Sequence, residues 1–136
     1  MSTRRAPSRT INYAIMIPAS RPPPLGPGYH LTMAYFSNIT PYQKELIKKE
    51  YKELVKANVI PDAHGRYMLP WTRYSKWGGN SILLDGPIAV FKEKVTNFFS
   101  AKYGHHLDLN RRQAHIDVGG AARPELYPSF NLLQIL

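Results

Sequence analysis

The segment that most restricts this chain is Pro22-Pro23-Pro24-Leu25-Gly26-Pro27-Gly28. Proline holds φ near about −65° and offers no backbone donor, so neither a helix nor a central strand can contain such a run. It is a stiff connector, and the elements on its two sides are therefore separate. Before it, Thr10 to Ile17 reads as a strand with Ile11, Tyr13, Ile15 and Ile17 on one face; Ala14 and Met16 make the other face apolar too, which allows cover on both sides. After it comes Tyr29-His30-Leu31-Thr32-Met33-Ala34-Tyr35-Phe36, rich in aromatic, β-branched and long apolar residues and bounded by turn residues, again a strand. Side chains alternate across a strand, so His30 and Thr32 share one face and Leu31 and Met33 the other. One face can join a core while the other presents an imidazole beside a hydroxyl.

The same pattern returns near the end of the chain as Ala114-His115-Ile116-Asp117-Val118, with Arg112 before it and Gly119-Gly120 after it. Two such strands, one from each half of a small domain, can bring two imidazoles to opposite sides of one substrate. Histidine titrates near neutrality, so one ring can act as base while the other acts as acid. That pairing suits transphosphorylation or hydrolysis at phosphorus without a metal.

His30-Leu31-Thr32-Met33 and His115-Ile116-Asp117-Val118 resemble the two H-x-[T/S]-x motifs of the 2H phosphoesterase superfamily, which includes the LigT-like RNA cyclic phosphodiesterases and the phage anti-CBASS nucleases. The first motif matches throughout; the second carries Asp117 where the family usually has Thr or Ser. The order strand, motif, helix, strands, helix, motif is also similar, so the likeness runs from Thr10 to the C-terminus. The resemblance implies an α+β, two-lobed fold in which antiparallel sheets form a central cleft with helices packed outside. It implies His30, Thr32, His115 and Asp117 as catalytic residues. Through the place of the first strand in that cleft, it makes Tyr13 a candidate for stacking on a base, beside the plainer reading of a core tyrosine.

At 136 residues the chain is expected to form one domain, 10–136, behind a basic tail, 1–9, that carries Arg4, Arg5 and Arg9. The absence of cysteine removes disulfides, thiolate nucleophiles and Cys-based zinc sites. A net charge of +9 attracts polyanions, nucleotides and nucleic acid first among them. No apolar run approaches the ~20 residues that span a bilayer, and the arginines of the tail precede no apolar signal segment. A cytoplasmic monomer that does not engage membranes is the expectation; for a viral source, the host cytoplasm.

Thr40-Pro41-Tyr42-Gln43 predicts a helix start: Thr as N-cap, Pro at the first position, Gln placed to close a capping box. Ile47, Tyr51, Leu54 and Val55 recur at helical spacing among lysines and glutamates, a solvated amphipathic helix on a sheet rather than a nucleic-acid helix. Asn58 and Pro61 end it. Tyr67-Met68-Leu69 and Trp71 to Trp77 read as β structure interrupted at Pro70, with Gly78-Gly79-Asn80 turning the chain into Ser81 to Leu84. Trp71, Arg73, Tyr74, Lys76 and Trp77 interleave aromatics with cations. That composition stacks bases and pairs phosphates, or equally gives a packed aromatic side and a solvated cationic one.

Asp85-Gly86-Pro87 opens a second helix whose expected core stripe is Ile88, Phe91, Val95, Phe98, Phe99 and Lys102, with Gly104 at its end. His106-Leu107-Asp108-Leu109 repeats the His-apolar-Asp-apolar pattern and is a rival for the second motif; His115 is preferred for its flanking glycine pair and its distance from the second helix. Adjacent His105 and His106 point opposite ways on a strand, so no metal or other cofactor is expected. His64 beside Gly65 reads as a surface residue. Gly119 to Phe130 is a loop whose Arg123 either closes over substrate or belongs to a plain connector, and Asn131 to Leu136 is a last strand.

Together with the resemblance, these features predict a metal-independent two-histidine phosphodiesterase; its likeness to the viral members implies cyclic oligonucleotide or oligonucleotide signals as the substrate. The likeness to viral members extends this to evasion of host defence. The substrate-binding candidates are Tyr13, Trp71, Arg73, Trp77 and Arg123. The alternatives are end-processing of RNA 2′,3′-cyclic phosphates, and a catalytically impaired nucleotide- or RNA-binding module.

Overall fold

The computed structural model describes residues 9–19, 29–77, 81–109, 113–117 and 130–136, with the side chains of 73–77, 130 and 131 outside the description. In chain order its elements are β1 (Ile11–Pro18), β2 (His30–Ile39), α1 (Pro41–Asn58), β3 (Met68–Trp77), β4 (Ser81–Asp85), α2 (Pro87–Tyr103), β5 (His115–Asp117) and β6 (Phe130–Gln134). The architecture is α+β. The strands form one antiparallel sheet in the order β1-β2-β5-β4-β3-β6. Short β5 joins the halves, bonding to β2 on one side and β4 on the other. The edge strands β1 and β6 come back into contact, so the sheet curls into a half-barrel.

The helices fill one face of this sheet. Leu31, Phe36, Ile82 and Ile116 from the strands meet Ile47 and Val55 of α1 and Ile88, Val95 and Phe99 of α2, all fully buried. Each such side chain contributes roughly 1.5–3 kcal/mol by leaving water. α1 starts as its sequence dictates: the Gln43 N–H donates to Thr40 Oγ1 at 3.1 Å, and the Thr40 N–H donates to Gln43 Oε1 at 2.9 Å. Glu50, which the helical pattern places among solvated charges, instead ties the helices together. It accepts from the Tyr103 hydroxyl at 2.9 Å and pairs with Lys102.

α2 begins at Gly86, whose φ of 89° a side chain would resist, followed by Pro87. Its buried face is Ile88, Phe91, Lys92, Val95, Thr96, Phe99 and Tyr103. Phe98 and Lys102, expected on that stripe, lie outside it: Phe98 is 36% exposed, with the Lys102 ammonium 5.6 Å from its ring centroid. Lys92 is admitted to the core because its Nζ donates to the Met33 carbonyl at 3.1 Å and to Thr96 Oγ1 at 3.4 Å.

That carbonyl sits at a bulge. Ile15 lies opposite Ala34 but Met16 lies opposite Thr32, leaving Met33 as an extra residue in β2. The bulge switches the alternation, so Leu31 and Met33 point inward before it and Ala34 and Phe36 after it, while Thr32 and Tyr35 stay on the other face. Met16 is 52% exposed, so β1 is not covered on both sides. β3 runs through Pro70 without interruption, because Pro70 pairs with Leu132 of β6 beyond the end of β4, where no ladder bond needs its missing N–H. Among the described residues no helix is long and apolar enough to cross a membrane.

Candidate functional site

Leu31 of β2 lies opposite Ile116 of β5, and both are fully buried. On an antiparallel ladder their neighbours are then opposite each other on the other face: His30 across from Asp117, and Thr32 across from His115. Opposed Cβ atoms sit about 4.5–5.5 Å apart, and His30 and His115 are diagonal neighbours at about 7–8 Å. Two rows therefore cross the sheet on the face away from the helices. One runs Pro18, His30, Asp117, Ser81; the other Met16, Thr32, His115, Leu83.

The rows differ in depth. His30 and Asp117 are exposed, Thr32 is half-buried, and His115 retains only 5% exposure. His115 Nδ1 is 2.9 Å from the Gln113 carbonyl oxygen. A carbonyl only accepts, so Nδ1 carries a proton, and whenever the ring is neutral its lone pair lies on Nε2. Nε2 lies 4.0 Å from Asp117 Oδ1. Asp117 in turn accepts from the hydroxyl of Ser81, a buried side chain directly opposite it on β4. Ser81 bears on the site although nothing in its sequence neighbourhood marks it; only the pairing of β4 with β5 brings it there.

The rival motif lies elsewhere. His106 Nδ1 donates to the Ser37 carbonyl at 3.1 Å, and Leu107 bridges Phe36 at the far end of β2. Six residues of strand separate Phe36 from His30, about 20 Å at 3.3 Å per residue. His106 and His30 thus share no site.

Two of the candidate base-stacking residues lie away from the face that carries His30. Tyr13 lies on the helix face, opposite Phe36, with the Lys44 ammonium 5.3 Å from its ring centroid, and burial raises its hydroxyl pKa. Trp71 is fully buried in the core, its indole N–H without a hydrogen-bond partner among the described residues. A ring with no exposed surface cannot stack on a base. Arg73 and Trp77 occupy β3 positions opposite Leu84 and Ser81, so Trp77 extends the His30 row by register; their side chains lie outside the described residues, as does Arg123 altogether. The hollow nearest β5, about 480 Å³, is lined by Asp85, Glu93, Thr96 and Gln113, and its carboxylates disfavour an anion.

Compared with protein-family models, with curated proteins and with solved structures, the chain matches none.

Proposed function

We propose that the face carrying His30, Thr32, His115 and Asp117 is the active site of a metal-independent phosphodiesterase of the two-histidine type, acting on cyclic oligonucleotides or oligonucleotides. What supports this reading is one observation: both His-x-polar segments fall on a single ladder, in adjacent rows of the same face. In the proposed reaction His115 Nε2 takes the proton of the attacking oxygen, from water or a ribose 2′-hydroxyl, as the new P–O bond forms. Protonated His30 delivers its proton to the departing oxygen as the old P–O bond breaks. Each acid–base partner contributes roughly 10²–10⁴-fold. The Thr32 hydroxyl donates to a non-bridging oxygen as charge moves onto it. Asp117, 4.0 Å from Nε2, offsets the positive charge His115 acquires, and the Ser81 hydroxyl keeps the carboxylate in that position.

The test is incubation with a panel of cyclic dinucleotides and cyclic-phosphate-ended RNA in EDTA, followed by chromatography. Cleavage that survives chelator, disappears in His30→Ala and in His115→Ala, and persists in His106→Ala supports the reading. Loss of cleavage in His106→Ala alone contradicts it.

A second reading is a nucleotide- or RNA-binding module without turnover. Asp117 favours it: an exposed carboxylate opposite His30 repels a phosphodiester and, ionised, donates no hydrogen bond. Saturable binding across the panel with no product is its signature.

A further inference from the structure

β1 and β6 approach each other, yet no hydrogen-bonded ladder joins them among the described residues, so the β1 edge stays unpaired. A groove of about 650 Å³ runs between β1, α1 and the C-terminal residues Gln134–Leu136. Six consecutive residues of β1, Tyr13–Pro18, line one wall. Among the described residues β1 is a sheet edge paired with β2 alone, so alternate residues of Tyr13–Ile17 turn their backbone N–H and C=O toward the groove. The floor is aliphatic: Ile15, Ile17 and Ile135 are buried beneath it. The Tyr51 hydroxyl donates to the Ile135 carbonyl at 2.6 Å and holds that floor to α1.

The rim is cationic. Lys48, Lys49 and Lys52 of α1 are all exposed along it, and among the described residues Glu45 is the one acidic side chain lining the groove. Glu45 approaches Lys48 at 3.9 Å, and among the described residues Lys49 and Lys52 have no ion-pair partner.

We infer that this groove binds an extended acidic peptide of a partner protein by strand addition to β1. Backbone pairing with the open edge supplies register-independent affinity, the aliphatic floor takes alternate apolar side chains, and the lysine rim selects acidic ones between them. A second copy of this chain is disfavoured as occupant, since it carries a net charge of +9 and brings a second set of lysines. A nucleic-acid strand finds no stacking surface: the one aromatic ring on the β1 wall, Tyr13, has Lys44 over its face. The site lies on the helix side of the sheet and stands or falls independently of the two-histidine face.

The experiment uses fluorescence anisotropy at low salt with a labelled peptide of alternating Val and Glu. Three controls accompany it: the same peptide N-methylated at every second residue, a Val-Lys counterpart, and a short oligouridylate. Saturable binding of the Val-Glu peptide is expected, with NMR shifts concentrated in the amides of residues 13–17 and in the α1 and C-terminal residues that line the groove. N-methylation is expected to abolish binding, and Lys48→Glu/Lys49→Glu/Lys52→Glu to weaken it roughly tenfold or more, with circular dichroism unchanged. Equal binding of the N-methylated peptide overturns strand addition. Binding of the oligouridylate but not the peptide assigns the groove to nucleic acid and overturns the proposal, as does binding of neither.

Discussion

The two His-x-polar segments share a pattern but not a setting. β2 is ten residues long, bonded to β1 and β5, and pinned at its bulge by the buried ammonium of Lys92. β5 is three residues long and is held mainly by the strands on either side of it. Yet the long strand carries the exposed imidazole, His30, and the short one the buried imidazole, His115. His30 is in contact with solvent. His115 has its tautomer set by the Gln113 carbonyl and its Nε2 turned toward a carboxylate. The contrast teaches that similar tetrapeptides can set two imidazoles in unequal surroundings. In the proposed reaction this is why His115 is assigned as the base and His30 as the acid.

The sharpest way to break this comparison is to remove each ring. His30→Ala and His115→Ala are both expected to cut turnover on a cleaved substrate by roughly 10²–10⁴. In urea titrations they should separate: His115→Ala removes a buried side chain and its hydrogen bond to the Gln113 carbonyl and costs about 1–3 kcal/mol, whereas exposed His30→Ala stays within about 0.5 kcal/mol. Equal stability losses would remove the difference in setting. Trp71→Ala is expected to cost about 3–5 kcal/mol as a core truncation. At a temperature where the variant remains folded, its nucleotide affinity should match the parent's, since the ring is wholly buried; a selective loss of affinity would return Trp71 to the binding face.

Smaller effects sharpen the second half. Asp117→Thr makes the later motif match the earlier one and removes a like charge beside the phosphate, worth about 1 kcal/mol in a water-like medium. KM is expected to fall several-fold; a rise in KM would make the carboxylate a substrate contact. Ser81→Ala removes the hydroxyl that holds Asp117, with an expected stability loss of about 0.5–1.5 kcal/mol and a change in turnover smaller than that of either histidine variant. An unchanged protein in both measurements would show that Ser81 does not position the carboxylate.

What the sequence revealed follows the range of the forces involved. The Thr40–Gln43 capping box and the Gly86-Pro87 start of α2 were legible because their hydrogen bonds and dihedrals are local. The face shared by His30 and Thr32 was legible from alternation; that Thr32 meets His115 depended on the β2–β5 pairing, which only the likeness between the two segments suggested. Helix periodicity found α2 but set its stripe slightly off, taking Phe98 for a core residue. Composition alone does not show that Lys92 has a carbonyl waiting for it at the bulge of β2. Trp71 and Tyr13 were misleading for a related reason. Aromatic residues serve cores and ligand surfaces equally, and which they serve depends on the sheet face they occupy.

The claim on which the rest depends is that both imidazoles address one phosphorus atom. The direct measurement is NMR of the 15N-labelled rings during titration with a non-hydrolysable phosphorothioate dinucleotide. The account predicts that the ring nitrogens of His30 and His115 shift together along a single saturation curve while those of His106 stay in place. Shifts in only one of the two, or two curves with separate midpoints, would contradict it.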